Sequence, residues 1–140
     1  MANKYKSIER AVEVTDEALN VTKVIRARPK SVVNALSNFS STTMTFGNNK
    51  FLLDKSGMTH ILERHHPSYW DGSVKSSQTF FNENLSIDDI SNGIQSVMNQ
   101  NRQTLINRGS TGMYQITGSF NGTEYILGLN NGRVGQFYPK

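Results

Sequence analysis

Residues 112–138 read GMYQITGSFNGTEYILGLNNGRVGQFY, and two short polar interruptions divide them into three β-type runs. Asn121-Gly122 separates Gly112–Phe120 from Thr123–Leu129. Asn130-Asn131-Gly132 separates that run from Arg133–Tyr138. Asn-Gly between alternating apolar and polar residues is the strongest short-range hairpin signal, because both residues accept the positive φ of a tight turn. The stretch therefore predicts a three-stranded antiparallel meander.

Working back toward the N-terminus, Ser86 opens a helix. A serine N-cap is followed by Asp88 and Asp89 in the first turn, where the helix dipole favours anions. Ile87, Ile90, Ile94, Val97 and Met98 supply its buried stripe, and the pattern runs to about residue 104 or beyond, with Gly109 closing the region. Upstream again, residues 67–82 read as loop then strand, with a turn at Asp71-Gly72. Ser56 is placed to cap a helix over 57–65 that ends before Pro67. Residues 40–53 surround Gly47-Asn48-Asn49 with β-favouring residues and predict a hairpin. Residues 4–25 and 31–39 read as helical, the latter with Val32, Val33, Leu36 and Phe39 on one side. Between them the basic run KVIRARPK at 23–30 contains Pro29, which breaks the helix there or starts a new one. The expected class is α+β, with N-terminal helices followed by an antiparallel meander on which a long helix packs. Residues 1–44 form an N-terminal helical segment of the same domain, and 45–140 its core.

The 140 residues suit one hydrophobic core. No apolar run is long enough to span a bilayer, and the opening MANKYK is not a secretory signal. With no cysteine, disulfides, zinc-thiolate sites and thiol catalysis are excluded. A net charge of +4 favours a polyanionic partner.

All three histidines fall in HILERHH, residues 60–66. Imidazole exchanges a proton near neutrality, so two of them can serve as base and acid in one turnover. RNA carries its own nucleophile, the 2′-hydroxyl. A histidine pair with a nearby cation then suffices to deprotonate it, protonate the leaving 5′-oxygen and offset charge on the phosphorane, without a metal. Helix geometry sets His65 near the Met58/Ile61/Leu62 face and His66 about 90° away, with His60 on the opposite side beside Glu63 and Arg64. His65 and His66 are thus the expected pair in one cleft, and His60 the outlier. The ordinary alternatives are a hydrogen-bonded core residue for His65 and a solvated one for His60. A metal site would need a third ligand such as Asp71, since His60 and His65 are five apart rather than four. On the expected strand after the cluster, Lys75, Ser77 and Thr79 share a face. In the last strand Val134, Gln136 and Tyr138 share one face, and Arg133 and Phe137 the other. Tyr69 and Trp70, beside the histidines, and Tyr138 are candidates to stack on bases.

HILERHHPSYWDGSVKSSQTFF, followed by a helix, a meander and a closing GRVGQFYP, resembles a bacterial EndoU-like toxin nuclease over roughly residues 45–140. That family belongs to the group uniting barnase, EndoU, certain colicins and RelE-type nucleases, and its fold is the one expected here. The resemblance implies a catalytic core of two histidines and a lysine, assisted by a hydroxyl residue and a tyrosine on the closing strand. Carried over, it points to His65 or His66, Lys75 and Tyr138, with His60 as the further catalytic candidate. Gln136 stands where the hydroxyl residue is expected. Arg64, Trp70, Thr79, Arg133 and Gln136 are the residues expected to hold RNA. The implied activity is metal-independent cleavage of RNA, tRNA among its substrates, leaving a 2′,3′-cyclic phosphate without any cofactor. A cognate immunity protein offering acidic groups is the implied partner. The domain is expected to be a monomer that binds no membrane. It would be delivered as the C-terminal tip of a secreted or contact-dependent toxin to act in the target-cell cytoplasm.

Overall fold

A computed structural model of the chain describes residues 31–72 and 78–140. Its elements are α1 (Val32–Ala35), β1 (Thr42–Phe46), β2 (Asn49–Leu53), α2 (Lys55–His65), α3 (Ile87–Gln100), α4 (Arg102–Arg108), β3 (Met113–Phe120), β4 (Thr123–Asn130) and β5 (Arg133–Pro139). The fold is α+β, as expected. The readings of 4–25 as helix and of Pro29 as a helix break or start within the basic run 23–30 lie outside the described residues.

The meander forms as the sequence predicts. Asn121 and Gly122 take φ of 50° and 81°, and Asn131 and Gly132 take 50° and 80°. Two consecutive positive-φ residues make a turn whose twist matches the flanking strands. The 40–53 hairpin also forms, with Thr42 opposite Leu53 and Phe46 opposite Asn49. The two units join into one sheet of order β1-β2-β5-β4-β3. The seam is parallel and short: Leu52 pairs with Arg133, and its N–H donates to the Gly132 carbonyl at 2.8 Å. Beyond that point the chain leaves β2 and enters α2, which packs along β5. Close approach is possible because residue 57 is glycine; a Cβ there would run into the Val134 carbonyl oxygen. Since β1 starts at Thr42, a boundary after residue 44 passes through a strand, and Val32 and Leu36 belong to the same core as Phe137.

α3 lies across β3 and β4. Ser86 Oγ accepts from the Asp89 N–H and Asp89 returns a carboxylate to the Ser86 N–H, so two orphan donors are satisfied reciprocally. Ile90, Ile94, Val97 and Met98 are buried, with Ile87 at the margin. The expected single helix to residue 104 is instead two, broken at Asn101. That side-chain amide donates to the Val97 and Thr117 carbonyls, both at 2.8 Å, and an asparagine so engaged diverts the backbone from helix. Gly109 then ends α4 at φ 76°.

Three local expectations are corrected. The N-cap of α2 is Asp54, whose Oδ1 accepts from Gly57 N–H at 2.8 Å, so the helix starts earlier than a Ser56 cap allows. The helix at 31–39 shrinks to α1, capped by Ser31, and Val33 faces solvent while Val32 and Leu36 are buried. Residues 78–82 form no strand. Their polar groups turn to the end of α2 instead of a neighbouring strand, as the site shows.

Candidate active-site groove

The C-terminal end of α2 has no free carbonyl. Leu62 O accepts from His66 N–H at 3.0 Å, Glu63 O from Asp71 N–H at 2.9 Å, and His65 O from Phe81 N–H at 2.8 Å. Arg64 O accepts from the Gln78 side chain at 2.7 Å. A helix end leaves four such acceptors, and here His66 satisfies one and described residues after Pro67 the other three. That segment is thereby held against α2, and so are the side chains it meets.

The two adjacent histidines divide at this point. His66 is the C-cap of α2 and is 3% exposed. Its Nε2 donates to the Leu85 carbonyl at 2.8 Å and its Nδ1 accepts from Ser68 N–H at 3.0 Å. Both ring nitrogens are engaged inside the protein, so His66 holds the loop and does not enter a cleft with His65. This corrects the expected pairing. Extended backbone at the cap turns residue 66 inward off the helix.

His65 is half-buried. Its Nδ1 lies 2.7 Å from the Thr79 carbonyl oxygen. A carbonyl only accepts, so Nδ1 carries the proton and Nε2 of the neutral ring carries the lone pair. No hydrogen bond among the described residues engages Nε2. Burial pushes the imidazole below its usual value of 6.5, and the Arg64 guanidinium adds to the effect against the opposing pull of the Thr79 hydrogen bond. The ring stacks on Tyr138, centroids 4.8 Å apart and planes 19° from parallel, with Phe81 against it edge-on. Thr79 is anchored in turn, its hydroxyl donating to the Pro139 carbonyl at 2.5 Å.

These contacts border a groove of about 420 Å³ between the flank of α2 and the outer face of the sheet. It gathers His60, Arg64 and His65 from α2, Thr79 from the irregular segment 78–82, and Gln136 and Tyr138 from β5. His60 thus shares the cleft with His65, contrary to expectation. The two stand about 140° apart around the helix, with Arg64 and Ile61 between them. A wide groove takes in that whole arc where a narrow pocket would not. Lys140 also lines it; its backbone N–H donates to the Glu124 carbonyl at 2.9 Å. The sequence reading missed it, although Gln136, Tyr138 and Lys140 lie at the two-residue period of one strand face.

Of the remaining candidates, Trp70 packs edge-on against Phe80 at 5.3 Å and does not line the groove. Arg133 pairs with Asp54, so it braces the N-cap of α2 and lies outside the groove as well. Lys75 lies outside the described residues. The face assigned to Val134 is also corrected. Leu129 pairs with Val134 but Gly128 with Gln136, so Gly135 is an extra residue in β5. That bulge puts Val134 and Phe137 both in the core and leaves Gln136 exposed. Among the described residues no group of three His, Asp or Glu side chains is arranged to hold a metal ion.

No protein-family model, curated protein or solved structure matches the chain.

Proposed function

We propose that this protein is an endoribonuclease that cleaves RNA by attack of the 2′-hydroxyl on the adjacent phosphate. The observation that carries the proposal is His65, an imidazole kept neutral by burial and tautomerically fixed by Thr79, in a groove shared with His60 and Arg64. A neutral histidine with its lone pair on Nε2 is a general base. It takes the 2′-hydroxyl proton as the 2′-oxygen bonds to phosphorus. The bond from phosphorus to the 5′-oxygen breaks, and His60, as general acid, supplies the leaving oxygen with a proton. The products are a 2′,3′-cyclic phosphate and a 5′-hydroxyl, with atoms and protons balanced. Arg64 is the cation that offsets charge on the phosphorane, with Lys140 beside it, its Nζ 3.9 Å from Glu124 Oε1, and Tyr138 holds the His65 ring while offering an aromatic edge to the groove.

On this reading DNA is a poor substrate, because it lacks the nucleophile. The resemblance of residues 60–81 to toxin nucleases extends the proposal to the active tip of a secreted toxin acting on cytoplasmic RNA such as tRNA, restrained by an acidic immunity protein. The test is incubation of the protein with total tRNA in excess EDTA, followed by mapping of the cleaved ends. Cyclic-phosphate ends formed in EDTA are the expected result. Intact RNA, or cleavage that EDTA abolishes, would overturn the proposal, the latter in favour of a metal-dependent nuclease.

A further inference from the structure

β4 carries a glycine at 128, in mid-strand, where glycine weakens a sheet. It sits opposite Gln136. A Cβ built on Gly128 would lie 2.7 Å from Gln136 Oε1 and 3.0 Å from Gln136 Cβ. The Gln136 side chain therefore lies flat over the bare backbone of Gly128, in space that any other residue would fill. Its Oε1 reaches across β4 to β3, 3.4 Å from Gln115 Nε2. Gln115 pairs with Gly128 from the other side, so the three residues form one row across β3, β4 and β5. The bulge at Gly135 serves the same end, because it sets the phase that puts Gln136 on the outer face.

We propose that Gln136 and Gln115, laid across Gly128, form a subsite that reads one nucleobase of the RNA next to the scissile phosphate; the inference rests on the ribonuclease reading of the groove. Two exposed carboxamides present donors and acceptors side by side, which is what a base edge requires. They carry no charge, so they suit a base better than a phosphate. Gln136 is two residues from Tyr138 on one strand face, about 7 Å along the strand, which is close to one nucleotide step. Ile126, beside both Gln136 and Tyr138 in the groove, gives the base an apolar surface to lie on.

The experiment compares cleavage-site profiles of the wild type with Gln115→Ala, Gln136→Ala and Gly128→Ala on one RNA pool containing all four nucleotides at each position. Both glutamines are exposed, so their truncation leaves the core intact. Gly128→Ala moves Gln136 without removing it. The wild type is expected to prefer one or two bases at a position flanking the cut. Each variant is expected to lower that preference by roughly tenfold, the scale of one good bidentate contact. If the variants cut all sequences more slowly but with an unchanged base profile, the pair is a backbone contact and the proposal is overturned while the ribonuclease reading stands. A wild type with no base preference overturns it in the same way. RNA left intact by the wild type would overturn the ribonuclease reading and the subsite with it.

Discussion

His65 and His66 are neighbours in sequence and opposites in role, and the difference lies in what each ring nitrogen meets. His66 spends both on Leu85 and Ser68. His65 spends one on Thr79 and keeps the other for the groove. His65→Ala should therefore lower kcat on RNA by about 10²–10⁴-fold with little change in fold, the range for loss of a general base. His66→Ala should leave the folded protein within about tenfold of wild-type rate but cost about 1–3 kcal/mol of stability, as a buried ring and its two half-buried partners lose their hydrogen bonds. Steady-state kinetics and thermal denaturation on the same preparations distinguish the two. The His65 ring also sets a pH dependence. Its folded pKa lies below 6.5, so between that lowered value and 6.5 the unfolded chain binds more protons than the folded one. The stabilisation from its neutral state is complete above pH 6.5 and is lost as pH falls through the lowered value. The acid limb of kcat/KM should accordingly bend below pH 6.5, and His65→Gln should flatten the stability slope in that window. A limb centred above 6.5 would argue against His65 as the base. HILERHH marks His65 as a candidate but not the division from His66, because the spacing of three histidines says nothing about which carbonyls approach them from residues 79 and 85.

At the scale of elements, capping and turn chemistry were legible and endpoints set by tertiary contacts were not. Ser86 and Asp89 announce α3 in sequence, and the capping box forms. Ser86→Ala should cost about 1 kcal/mol, read as a fall in thermal midpoint without loss of rate in the folded protein. The break at Asn101 was hidden, because it depends on a carbonyl of Thr117 in another element. The strand expected around residues 75–82 was read from composition alone. Its described part instead closes the end of α2 with hydrogen bonds to the Arg64 and His65 carbonyls. Period-two alternation through β5 was right for Gln136, Phe137 and Tyr138 but wrong for Val134, since one extra residue at Gly135 moves everything before it to the other phase.

At the scale of the molecule, a chain of net charge +4 opens its groove between a helix flank and a sheet face, with Arg64 and Lys140 at its margin. RNA binding through such cations releases counterions. Raising salt from about 50 to 200 mM should weaken binding steeply, and Arg64→Ala should lower the slope of log K against log salt by roughly 0.7 on single-stranded RNA. A slope unaltered by the substitution would remove Arg64 from the phosphate contacts. Local chemistry alone settled the α+β class, the two Asn-Gly turns, the hairpin at 40–53 and the start of α3, because each depends on residues within a few positions of one another. Folding in three dimensions settled which histidines share the groove, which arginine is spent on Asp54, and how Gln136 comes to lie over Gly128. Those outcomes depend on carbonyls, carboxylates and open space contributed by residues up to 79 positions away, and no pattern within a single segment encodes them.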